Sequence, residues 1–149
     1  MPLFRETIQS ITAVGGAIDD TLTMSCEVNS LYHFHGVINY ELRDKDAPFA
    51  IRANLPNGND GELWAMRVVP GATVPEMQSG KTVLPALSAG LPVGATENFG
   101  QHMMYISGWF ANWGSKTGQF SLAYRNITGS LNFGLDIRHG SWLTVEKVA

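Results

Sequence analysis

The stretch LYHFHGVINYEL (residues 31–42) decides the fold. Tyr32, Phe34, Ile38 and Tyr40 alternate with His33, His35, Val37 and Asn39, and Gly36 interrupts the first set. A period of two places the aromatic and aliphatic set on one face of a strand and the histidines on the other. The same alternation recurs on both sides. In TLTMSCEV (21–28), Leu22, Met24, Cys26 and Val28 share a face. In APFAIRANL (47–55), Phe49, Ile51, Ala53 and Leu55 do, and in GQFSLAYR (118–125), Phe120, Leu122 and Tyr124. GELWAMRVV (61–69) follows the turn cluster PNGNDG, and the chain closes on WLTV (142–145), where Leu143 and Val145 alternate. FRETIQSITAV (4–14) has no clear period, but its Ile and Thr content favours a strand.

These patterns predict an all-β chain, an antiparallel jelly-roll β-sandwich of eight to ten strands. The stretch Pro70–Gly100, rich in proline and small residues, reads as long loops with one or two short strands, near Thr82–Leu84. The 149 residues suit one domain at 17–149, preceded by an N-terminal arm or first strand at 1–16.

Only 15% of the residues are charged, against roughly 25% in an ordinary soluble domain, so part of the surface is expected to be covered by another protein. The net charge of −3, with Lys and Arg scattered, argues against nucleic acid. No apolar run reaches the length of a membrane span, and the N-terminus lacks the features of a secretion signal, so synthesis in a cytoplasm is expected. Asn126-Ile127-Thr128 fits a glycosylation sequon but reads as a turn or strand sequence.

Several side chains invite chemistry. His33 and His35 point the same way and are candidate metal ligands. A cupin, itself a jelly roll, adds a glutamate and a histidine from a later strand. Here Glu41 stands six residues after His35, and His102 follows Gly94 by eight, so the pattern is broken twice. The pair reads instead as part of a half-exposed or inter-subunit face, where it could tune assembly with pH. Cys26 reads as a small buried hydrophobe. Asp19-Asp20, Asp44-Lys45-Asp46 and Asn59-Asp60 read as solvated turns rather than calcium loops. Asp136, His139 and Ser141 sit too close in sequence to hold triad geometry. Trp109, Phe110 and Trp113 read as an aromatic cluster at a strand end, either core or a sugar-stacking platform. No catalytic residue or cofactor is expected, and the chain reads as a binding protein rather than an enzyme.

Taken in order, LYHFHGVINYEL, ANLPNGNDGELWAMRV (53–68), YISGWF (105–110), GQFSLAYRN (118–126) and GSWLTVEKVA (140–149) resemble a jelly-roll family of phage and bacterial surface or virion proteins. That family is akin to the complement globular-head and tumour-necrosis-factor trimers. The resemblance covers residues 20–149 and departs in the Pro70–Gly100 insert. It implies a homotrimer located in a virion, a capsid decoration or cement protein whose partner is the major capsid protein of a phage shell. The absence of a fibrous shaft favours cement over the alternative, a receptor- or glycan-binding tail-fibre tip. A third reading is a cupin-like metalloenzyme. The apolar N-terminal residues Leu3, Phe4 and Ile8, with Trp109 and Trp113, are the expected partner-binding residues.

Overall fold

The computed structural model describes residues 3–12, 16–54, 61–68, 78–84 and 91–149. Among them the chain is all β. The strands in order are β1 (Leu3–Phe4), β2 (Gln9–Thr12), β3 (Gly16–Cys26), β4 (Ser30–Leu42), β5 (Phe49–Asn54), β6 (Gly61–Val68), β7 (Gln78–Leu84), β8 (Leu91–Val93), β9 (Gln101–Asn112), β10 (Gly118–Asn126), β11 (Gly134–Ile137) and β12 (Trp142–Lys147).

All pairings are antiparallel and form two sheets. The larger runs β1-β12-β4-β9-β6-β7, with β11 bridging β2 to β4, and the smaller runs β3-β10-β5-β8. The first and last strands of the sandwich are each broken in two: β1 pairs with β12, and β2 with β11. Counting each broken strand once and setting the β6–β7 hairpin aside leaves eight. In chain order the larger sheet then runs first, eighth, third, sixth, and the smaller second, seventh, fourth, fifth. This is the winding of a jelly roll. The surplus over the expected eight to ten strands comes from the two breaks and the hairpin. That hairpin adds two strands beyond β9, and only its second strand, β7, lies in the Pro70–Gly100 region expected to depart from the pattern.

The core lies between the sheets. Tyr32, Phe34, Ile38 and Tyr40 of β4 are all buried, as their alternation requires. Phe34 packs on Phe120 of the opposite sheet at 5.1 Å between ring centroids, and Phe110 of β9 stacks on Phe120 at 4.3 Å. Tyr40 meets Phe49 edge-on at 5.1 Å. Gly108 makes room for the Phe34 ring, and Gly36 for the backbone of β12. A Cβ on Gly108 would overlap the Phe34 ring and the Glu62 carbonyl oxygen, and one on Gly36 would overlap the Trp142 carbonyl oxygen. Cys26 is buried as expected, and burial pushes its thiol up to about 11.

The breaks in the first and last strands face each other. Arg5 donates its N–H to Ser141 O and accepts from Gly140 N–H, both at 2.9 Å. Ser141 fills the gap this leaves beside β4: its hydroxyl accepts from Asn39 N–H at 2.9 Å and donates to Arg138 O at 2.8 Å. The break also lets Arg5 turn into the sandwich. Its buried guanidinium pairs with the equally buried Asp19 and, at 2.6 Å, with Asp20. Asp19 further accepts from Thr21 and Leu22 N–H at 2.9 and 2.7 Å and from the Tyr124 hydroxyl at 2.6 Å. These bonds sit at a bulge in β3, where the register with β10 jumps between Ser121↔Thr23 and Ala123↔Ile18.

One expectation is corrected here: Asp19 is an interior ion-pair partner, not a solvated turn residue. Of the two alternatives for residues 1–16, an arm or a first strand, the described part takes the strand, β1 pairing with β12 and β2 with β11. Leu55, Asn59, Asp60, most of the PNGNDG turn and part of the Pro70–Gly100 insert fall outside the described residues.

Candidate functional site

The outward face of the larger sheet is built by cross-strand register. Phe4 lies opposite Trp142, Trp142 opposite Val37, Val37 opposite Tyr105, and Tyr105 opposite Met66. Residues directly opposite share a face, so Phe4, Trp142, Val37, Tyr105 and Met66 form one row across β1, β12, β4, β9 and β6. At the usual strand spacing the row spans roughly 19 Å. It contains no charge. Phe4 is 58% exposed and Tyr105 39%. The next row along is Thr144, His35, Ser107 and Trp64, and the one beyond it Glu146, His33, Trp109 and Glu62. Contiguous aromatic and Met surface with charge held to its edge has the composition of a protein–protein contact.

His33 and His35 lie on this face, their ring centroids 5.9 Å apart, and His35 stands edge-on to Trp142 at 5.6 Å. Neither partner that a cupin site needs is positioned to join them. Glu41 is bound to Arg138 at 2.8 Å. His102 alternates to the inner face, where it stacks on Tyr40 at 5.6 Å. His102 Nε2 accepts from Thr96 N–H at 3.1 Å, which leaves Nδ1 to donate to Gly100 O at 2.8 Å. Among the described residues no three His, Cys, Asp or Glu converge on one point.

The structure separates the other expected site residues. Leu3 packs against the core, whereas its neighbour Phe4 enters the apolar row. Trp109 faces outward and its indole N–H donates to Glu62 at 3.3 Å, while Phe110 faces the core. Trp113, 55% exposed, lies beyond the end of β9, and Ile8 is exposed in the break between β1 and β2. The three aromatic residues at 109–113 therefore do not form one platform. Asp136, His139 and Ser141 do not form a triad, since Ser141 is committed to the backbone of Asn39 and Arg138. Asn126 is buried, and its side-chain oxygen accepts from Thr128 and Gly129 N–H, both at 3.1 Å, so it organises a turn. Val37, Tyr105, Met66 and Trp142 were not singled out from the sequence as site residues. They lie on four strands, and only register joins them.

No protein-family description matches the chain, and none of the curated proteins does. One solved structure to which it is similar is that of the infectious bursal disease virus Gx strain, at 8% identity and a TM-score of 0.21, over 97% of this chain and 38% of the viral one. A likeness at that level carries no argument. The class that the coordinates define is that of a jelly-roll β-sandwich with an apolar outer face on its larger sheet.

Proposed function

We propose that the chain is a virion structural protein: a homotrimeric decoration protein that binds an assembled phage capsid through its major capsid protein and stabilises it. Two features support the reading. The winding of the strands agrees with what the sequence resemblance implies. The row Phe4–Trp142–Val37–Tyr105–Met66 offers an uncharged, aromatic face wide enough for a subunit contact, and that observation carries the proposal. In the trimer this face meets two sister copies. His33 and His35 lie at its margin, close to the sister subunits. A three-fold ring then presents the loops of one end to the shell, and three weak contacts act together.

Sedimentation equilibrium tests the first part. The expected mass is three times the 16.2 kDa of the chain, and Tyr105→Glu, which sets a charge in the middle of the row, is expected to give monomers. A monomer at all concentrations overturns the trimer. Co-sedimentation with assembled heads of a phage that carries this chain tests the second part. A trimer that stays in the supernatant overturns the decoration role.

A further inference from the structure

Two rows beyond Val37 on the outer face of the larger sheet, toward the end of β4, lies a cleft of about 180 Å³. Its floor is another register row: Ser10 opposite Asp136, and Asp136 opposite Glu41. Arg43 forms one wall. Its side chain lies flat over Gly134, where a Cβ would crowd the guanidinium at 3.1–3.3 Å, and its N–H donates to Gly134 O at 2.8 Å. Phe99 also lines it.

Phe99 is held there against its own preference. Its φ of 56° lies in the left-handed region, which costs a non-glycine residue on the order of 1 kcal/mol or more. A hydrogen bond from its N–H to Leu42 O at 2.8 Å and one from Lys45 N–H to the neighbouring Asn98 side chain at 2.9 Å keep the loop in place. The ring that this conformation presents is 64% exposed and packs into no core. Strain that delivers an exposed aromatic ring to the rim of a cleft is a feature with a use.

The chemistry of the cleft narrows that use. The lining carries Glu41, Asp136 and Arg43, and the charge of Glu41 is already met by Arg138, which lies outside the lining, so Asp136 and Arg43 balance within the cleft. A balanced site favours neither an anion nor a cation. Asp136 and Arg43 make no side-chain hydrogen bond or ion pair among the described residues, so an acceptor and a fork of donors stand ready beside an aromatic face. A neutral polyhydroxylated ring matches this set. Its C–H face packs on the aromatic ring, and its hydroxyls donate to Asp136 and accept from Arg43. The volume falls below the roughly 300 Å³ of a drug-sized pocket and suits one such ring.

We propose that this cleft is a binding site for a neutral sugar ring, stacked on Phe99 and held by Asp136 and Arg43. The site lies on the same sheet face as the row Phe4–Trp142–Val37–Tyr105–Met66, two register rows along β4 from it, and away from Trp109 and Trp113.

Saturation-transfer NMR of the full chain tests it, with the methyl glycosides of glucose, galactose, mannose and N-acetylglucosamine, and with sialic acid as a charged control. The expected result is transfer from at least one neutral glycoside. Phe99→Gly and Asp136→Asn are each expected to weaken binding roughly tenfold or more, about 1.4 kcal/mol. Phe99→Gly removes the ring and also relieves the left-handed strain, so its melting temperature is expected to match or exceed that of the parent. The proposal is overturned if no neutral glycoside gives transfer, if sialic acid is preferred, if both variants bind as the parent does, or if Trp113→Ala abolishes the signal and Phe99→Gly leaves it intact.

Discussion

Gly36 shows what a single position can decide. The sequence reads it as a gap in an aromatic series, between Phe34 and Ile38. In the fold the backbone of β12 lies against it, with the Trp142 carbonyl oxygen in the place of a side chain. Gly36→Ala forces backbone against backbone, and no flexible side chain can yield. It is expected to destabilise the protein by about 1–3 kcal/mol, measured as a lower midpoint in urea unfolding at unchanged slope. A variant as stable as the parent would show that β12 can move away. The inward set Tyr32, Phe34, Ile38 and Tyr40 was legible from period alone, because burial on one face leaves a mark in composition. The left-handed conformation of Phe99 left none. Phenylalanine has no preference for that region, and the bonds that hold it there, Phe99 N–H to Leu42 O and Lys45 N–H to the Asn98 side chain, join residues far apart in sequence.

At the scale of elements, the break between β1 and β2 serves the interior. It turns Arg5 inward to neutralise Asp19, which in turn holds the β3 bulge and the Tyr124 hydroxyl. Removing one partner strands the other charge in the core. Arg5→Ala is therefore expected to cost about 3–5 kcal/mol in denaturant unfolding, and deletion of residues 1–10 at least as much. A deletion variant of parental stability would mean that the first strand is dispensable. This arrangement was hidden from the sequence. FRETIQSITAV reads as a strand, correctly for Phe4 and for Gln9–Thr12, but nothing in its composition announces that residue 5 must meet residue 19. The same holds for the outward row and for the sugar cleft. Alternation tells which residues face out; pairing tells which of them touch.

At the scale of the whole molecule, three buried groups share one response to pH. Burial raises Cys26 to about 11 and Tyr40 to about 12, the latter partly offset by Arg67, and raises Tyr124 well above its ordinary value through burial and the neighbouring Asp19 carboxylate. Each group holds its proton more tightly in the folded chain than in the unfolded one. As pH rises the unfolded chain releases protons first, so the stability these groups contribute is complete below about pH 9 and is lost from there upward to about pH 12. The melting temperature is expected to fall through that window. Tyr124→Phe is expected to make the fall shallower, and at neutral pH to cost about 1–3 kcal/mol by taking a donor from buried Asp19. A curve for Tyr124→Phe parallel to that of the parent would remove Tyr124 from this account.

The position of β12 has a consequence in time. It lies between β1 and β4, pairing Leu143 with both Leu3 and Gly36. The opening strand can find its neighbour only after the closing one has docked. During synthesis one edge of β4 stays bare along Tyr32–Val37 until residues beyond 140 leave the ribosome, and non-local pairings of this kind are slow to form. For that interval the strand that brings Tyr32, Phe34, Ile38 and Tyr40 to the core has an edge open to a wrong partner.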